Sequence, residues 1–229
     1  MSASGRHGKN RRPLSTRNLT LLVVLLTLAV MLLGGLVLFV QLKPPTRLST
    51  ASDRDLQANL RALEENPDDP WAWAAVGVAY ADKGDVEAAK DAFETSLEKD
   101  DKVWISNFQL GLLLRDSDPK RAEELIEKSA ELAPRTYRVA PYSALGDLRL
   151  EAGNAKAAKK AYLYAVADDP FIVDAQRGLA DALLELGDEE GALDHYKKAL
   201  RMAPGDEELK TAIDELESSL GGKKDKEKK

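Results

Sequence analysis

Two histidines, no cysteine and a surplus of carboxylates are what this 229-residue chain offers for chemistry. His7 stands in a basic N-terminal stretch, and His195 sits between Asp194 and Tyr196 on what reads as the solvated face of a helix. A metal centre needs several ligands converging on one point, and an activated nucleophile needs a base with a third group to orient it. Neither histidine has such a set around it in the sequence. The lack of cysteine removes disulfides, thiolate ligands and thiol nucleophiles. Asp and Glu recur at helix-surface spacing, the pattern of a solvated face. The glycines fall at helix crossings and turns, not in a phosphate-cradling loop. The residues therefore predict no enzyme activity: no catalytic residue, no metal site, no cofactor and no small-molecule substrate.

Charge is distributed unevenly. The chain carries 33 Lys+Arg and 39 Asp+Glu, a net of -6. Residues 1–42 hold five basic residues (Arg6, Lys9, Arg11, Arg12, Arg17) and no acid, while residues 43–220 carry a net of -14. A domain this acidic repels phosphate backbones, which argues against nucleic acid and for a neutral or basic protein partner.

The acidic region is preceded by an apolar one. Leu19 to Leu42 is 24 residues without a charge, mostly Leu and Val. As a helix it spans about 36 Å, against a hydrocarbon core of about 30 Å. The segment predicts a transmembrane helix over 19–42 that contacts the lipid bilayer. Basic residues are denser on its N-terminal side, so the tail 1–18 reads as cytoplasmic and the rest as extracytoplasmic. The rival is a cleaved signal peptide, with Ser49-Thr50-Ala51 as the cleavage site; the apolar run exceeds the roughly 7–15 residues of such a peptide. Pro44-Pro45 ends the helix, and residues 43–52 read as a short extended stalk.

Beyond residue 66 the sequence repeats. Gly153 and Gly187, Ala158 and Ala192, Tyr162 and Tyr196, Pro170 and Pro204, and Gly77 and Gly111 are pairs 34 residues apart. Two helix-length apolar patterns per period predict an all-α solenoid of stacked helical hairpins. The first copy reads Trp73, Val76, Gly77, Tyr80, Gly84, Ala89, Phe93, Ser96; the second reads Asn107, Leu110, Gly111, Leu114, Ala122, Ile126, Ser129, Pro134. The third reads Tyr142, Leu145, Gly146, Gly153, Ala158, Tyr162, Ala165, Pro170; the fourth reads Gln176, Leu179, Ala180, Leu183, Gly187, Ala192, Tyr196, Ala199, Pro204. Gly84, Gly153 and Gly187 end first helices, where positive φ is common, and Asp85, Asn154 and Asp188 follow as N-caps. The second copy lacks this glycine and has Asp118-Pro119 instead. Two extra residues precede the third copy, and Arg149 stands where the first has Tyr80.

Four concordant copies over residues 70–204 resemble the tetratricopeptide-repeat (TPR) family, as a membrane-anchored bacterial protein of that family. Around them, 53–66 reads as the second helix of a degenerate leading half-repeat. Residues 206–220 read as a polar-faced capping helix stopped by Gly221-Gly222, and 221–229 as a disordered charged tail.

The resemblance implies that first helices line a concave groove that binds a protein or peptide. Mapped onto this chain, the groove residues are Trp71, Val78, Ile105, Phe108 and Leu112, with Ala74, at an apolar end. Asp147, Asp174, Arg177, Asp181 and Glu185, with Ser143, Leu150 and Leu184, form an acidic end. Such a groove suits a segment whose basic residues face the acidic end. The apolar half either lies open or is covered by the 53–66 helix or the core. The Lys/Asn carboxylate clamp of chaperone-tail receptors is not supplied; Arg115 and Arg177 are isolated basic candidates. The resemblance implies an inner-membrane adaptor, in roles such as envelope protein assembly or cytochrome maturation. The alternatives are a structural accessory subunit of a membrane complex and a repeat domain facing the cytoplasm.

Overall fold

The computed structural model describes residues 51–227. The predicted cytoplasmic tail 1–18, transmembrane helix 19–42 and stalk residues 43–50 lie outside the described residues, as do Lys228 and Lys229. Among the described residues, no helix is long and apolar enough to cross a membrane.

Polar caps and turn glycines set the helix boundaries. Helix α1 is Ala51–Glu65. Asp69 caps α2 (Pro70–Asp82), accepting from the Trp71 N–H, with Pro70 in the first turn where no N–H is needed. Asp85 caps α3 (Val86–Lys99). Helix α4 (Trp104–Leu114) has no side-chain cap, and Asp118 with Pro119 opens α5 (Pro119–Leu132). A 3-10 turn, Arg135–Tyr137, then leads into α6 (Val139–Glu151). Asn154 caps α7 (Ala155–Asp168) and Asp188 caps α9 (Glu189–Met202), with α8 (Val173–Glu185) between them. Helix α10 is Glu207–Glu227. Gly84, Gly153 and Gly187 take φ of 78°, 71° and 80°, so the three glycine turns have the left-handed geometry that their spacing predicts.

Helices α2/α3, α4/α5, α6/α7 and α8/α9 pair as antiparallel hairpins, and each second helix packs on the first helix of the next hairpin. Large side chains of second helices fill the crossings. A Cβ on Gly77 would fall 2.6 Å from the Phe93 ring, one on Gly111 2.6 Å from Ile126, and one on Gly146 2.6 Å from Tyr162. Tyr162 is also wedged against the following hairpin, where a Cβ on Gly178 would fall 2.4 Å from its ring. First helices of neighbouring hairpins touch directly for α2 with α4 and α6 with α8, but α4 and α6 make no comparable contact. The 3-10 turn enters between them.

Helix α1 takes the position of a second helix ahead of α2. Its Leu56 and Leu63 are buried with Val76, Ala79 and Ala92, and Trp73 and Tyr80 pack alongside. Ala51 and Ser52, assigned to the stalk by the sequence, belong to this helix: nothing before Asp53 breaks it. At the other end Leu209, Ile213 and Leu216 seal the last hairpin. The stop expected at Gly221-Gly222 does not occur, and residues 221–227 continue α10 instead of forming a disordered tail. A glycine inside a helix costs about 1 kcal/mol relative to alanine, a penalty that leaves the helix intact when neither glycine turns to positive φ.

Candidate functional site

The gap between α4 and α6 opens a cleft of about 570 Å³. Ile105 and Phe108 of α4 form one wall, with Trp104 and Gln109. Val139, Pro141 and Ser143 of α6 form another, and Ile172 and Asp174 close it from the α8 side. Tyr137, on the 3-10 turn, stacks on Trp104 with ring centroids 5.3 Å apart and an interplanar angle of 22°. The two-residue insertion ahead of the third repeat thus has a structural result: it places an aromatic wall on this cleft. Arg135 and Arg138 hold the turn in place through Asp168, at 3.0 and 3.2 Å.

A second cleft, of about 520 Å³, adjoins the first and shares Asp147 and Asp174 with it. Asp147, Glu151, Asp174, Asp181 and Glu185 bring five carboxylates to it, and Arg115 and Arg177 two guanidiniums. Both arginines are engaged, Arg115 with Glu151 and Arg177 with Asp174 at 2.8 Å. Among the described residues, Asp147, Asp181 and Glu185 make no ion pair.

Tyrosine hydroxyls fix two of these carboxylates. Tyr162 donates to Asp147 Oδ1 at 2.6 Å, and Tyr196 donates to Asp181 Oδ1. The two pairs stand one repeat, 34 residues, apart. Burial, with the neighbouring carboxylate, pushes both phenols far above their ordinary range, so they act as donors throughout physiological pH. The repeats without the tyrosine have no carboxylate: Val78 goes with Phe93, and Leu112 with Ile126. This correlation between helices is the signal that single-position reading misses.

Burial raises the Asp181 carboxyl above its usual value of 3.8, and Asp147 adds to the rise, while the Tyr196 hydrogen bond and Arg177 oppose it. The folded protein therefore binds this proton more readily than the unfolded chain does. The group's contribution to stability is full below 3.8 and is lost as pH rises through the folded value. Asp181→Asn is expected to stabilise the protein at pH 7 and to narrow that gain as pH falls. Urea unfolding of both proteins at pH 7 and pH 4.5 checks it, and a pH-independent difference contradicts it.

The predicted groove residues are thus divided. Ile105, Phe108, Asp147 and Asp174 meet in the first cleft, and Asp147, Asp174, Arg177, Asp181 and Glu185 meet in the second. Val78 and Leu112 line neither and pack, half-buried, against the core around Phe93, Leu110 and Ile126, which Phe108 also touches. Trp71 lines neither and is 50 % exposed at the start of α2. Helix α1 covers the Trp73–Val76–Tyr80 face of α2 and packs no closer to the clefts than that. His195, read as solvated, is half-buried instead. Gln176 Nε2 donates to Pro170 O, which leaves Oε1 to accept from His195 Nδ1 at 2.7 Å. Burial and then Lys198 lower its pKa. It lines a separate cleft of about 640 Å³ beside Phe171 and Met202. Arg149, the departure from the aromatic pattern, bridges Glu123 and Glu127 of α5 at 2.7 Å each. Among the described residues, no group of three or more His, Asp or Glu could hold a metal ion.

The tetratricopeptide-repeat family profile matches residues 56–103 and 143–207. The unmatched stretch between them holds the hairpin without a turn glycine and the inserted 3-10 turn. Comparison with curated proteins returned no match. Among solved structures, the chain is similar to a MamA protein at 23 % identity and a TM-score of 0.60, covering 68 % of this chain and 84 % of that one. It is similar to YrrB, described as a TPR protein with an unusual peptide-binding site, at 17 % identity and a TM-score of 0.66, covering 72 % and 85 %. A MamA fragment from Desulfovibrio magneticus RS-1 matches at 20 % identity and a TM-score of 0.57, covering 69 % and 88 %. At these identities the structural likeness is one of fold. Profile match, hairpin geometry and fold agree: the chain belongs to the tetratricopeptide-repeat family.

Proposed function

We propose that this chain is a membrane-anchored adaptor whose repeat domain binds a segment of a partner protein outside the cytoplasm. The observation that carries the binding role is the pair of joined clefts, one apolar and aromatic, the other acidic, on the first helices. Few precisely placed polar groups beside an apolar cavity are the usual makings of a recognition site. The acidic cleft favours basic residues in the partner segment. The anchor rests on the uncharged run 19–42 and on the basic residues ahead of it. Scaffolding, not catalysis, is the role that this fold and these residues support.

Purification of the full chain in mild detergent tests the adaptor reading. Ile105→Ala/Phe108→Ala is expected to lose, while still helical by circular dichroism, a protein that the wild type retains. A stoichiometric complex that survives both the double variant and high salt would point instead to an accessory subunit held through other surfaces. Protease treatment of spheroplasts, with the inner membrane exposed and intact, tests orientation: cleavage of the repeat domain only after that membrane is disrupted contradicts the extracytoplasmic placement.

A further inference from the structure

The two clefts lie at different levels along the same helices. Ser143 of the first and Leu150 of the second are seven residues apart on α6, and Asp174 and Asp181 are seven apart on α8. At 1.5 Å per residue each pair is separated by about 10 Å along its helix. An extended polyproline II chain rises about 3.1 Å per residue with about three residues per turn, so three residues cover that distance and bring the second side chain back to the same face. A helical segment needs about seven residues to cover the same distance, so the spacing of the two recognised residues separates the two conformations.

The end that takes the cation is also fixed. The acidic cleft sits toward the C-terminal ends of α6 and α8, where the helix dipole adds negative potential. Asp147 and Asp181 each commit Oδ1 to a tyrosine, which sets the carboxylate's orientation and leaves the second oxygen without an ion pair. Ion pairs hold Arg115 to Glu151 and Arg177 to Asp174; the two guanidiniums act on Asp147 and Asp181 only through space, and among the described residues neither carboxylate has an ion-pair contact of its own.

We infer that the groove reads an extended segment carrying a large aromatic or branched apolar residue and an Arg or Lys three positions away. The apolar side chain enters the Phe108–Tyr137 cleft, and the cation sits between Asp147 and Asp181. This rests on the groove reading above and adds to it a register and a conformation.

Fluorescein-labelled 12-residue peptides in a Gly/Ser background test it by anisotropy against the full chain in detergent micelles. Each carries one Trp and one Arg, in both orders, spaced one to seven residues apart. One of the two orders at spacing three is expected to bind at least fivefold tighter than spacings one, two and five. Arg replaced by Gln in the peptide, or Asp147→Asn/Asp181→Asn in the protein, is expected to abolish the preference. Groove binding that is indifferent to spacing or to the Arg overturns the register and leaves the groove reading standing. An Ala-rich helical peptide with the pair seven apart binding tighter than the extended one overturns the conformation. Peptides that bind wild type and Phe108→Ala equally overturn both readings, and no binding by any peptide overturns this inference.

Discussion

Tyr162→Ala is expected to lower the free energy of unfolding by about 3–5 kcal/mol, the usual cost of truncating a fully buried aromatic. The ring is 1 % exposed and lies between Gly146 of its own hairpin and Gly178 of the next, so its loss opens a void on both sides. Neither glycine has a side chain that could move into it. Urea unfolding of the wild type and variant measures the loss. A solenoid couples neighbours through such interfaces, so the transition is also expected to broaden as the last hairpin separates from the first three. Tyr162→Phe keeps the ring and removes only the hydroxyl, and is expected to cost about 0.5–1.5 kcal/mol, the net worth of one hydrogen bond. Equal losses for the two variants would contradict the assignment of the ring, and not the hydroxyl, as the structural element.

Phe108→Ala is expected to weaken the partner segment about thirtyfold, since an aromatic at the centre of an interface is typically worth about 2 kcal/mol or more. Phe108 is half-buried: it lines the cleft and also packs against the core cluster around Leu110 and Ile126, so its truncation also lowers the unfolding midpoint, and affinity is read on the fraction that remains folded. Titration calorimetry with the partner segment measures the affinity, and thermal unfolding guards against a folding defect. The comparison with Leu112→Ala is informative. Leu112 packs against the same core cluster but lines neither cleft, so its truncation should cost comparable stability and spare binding. The opposite outcome for the two residues would place the site elsewhere on α4.

Local features were the most legible in the sequence. A glycine followed by Asp or Asn marks a helix end and the next cap whatever surrounds it, and Gly84-Asp85, Gly153-Asn154 and Gly187-Asp188 behave that way. The 34-residue spacing carried the hairpins, because each repeat has to meet its neighbour with the same face. The site was less legible because it arises between repeats. Trp104 and Tyr137 are 33 residues apart and meet only because the insertion before the third repeat folds as a 3-10 turn. Repeat-by-repeat mapping put Val78 and Leu112 in the groove by position; both are half-buried against the core cluster and line neither cleft. The tyrosine–aspartate pairs join a second helix to a first, and reading each helix alone separates them. Gly221-Gly222 shows the reverse error, a local signal that was too weak to stop α10.

Photo-crosslinking from inside and outside the groove locates the bound partner on the repeat domain. A benzophenone side chain placed at Phe108 is expected to capture the partner in intact cells. The same group at Leu163, exposed on the second helix α7 and outside both clefts, is expected to capture none of it. Capture of that partner from position 163, with none from 108, would contradict the account.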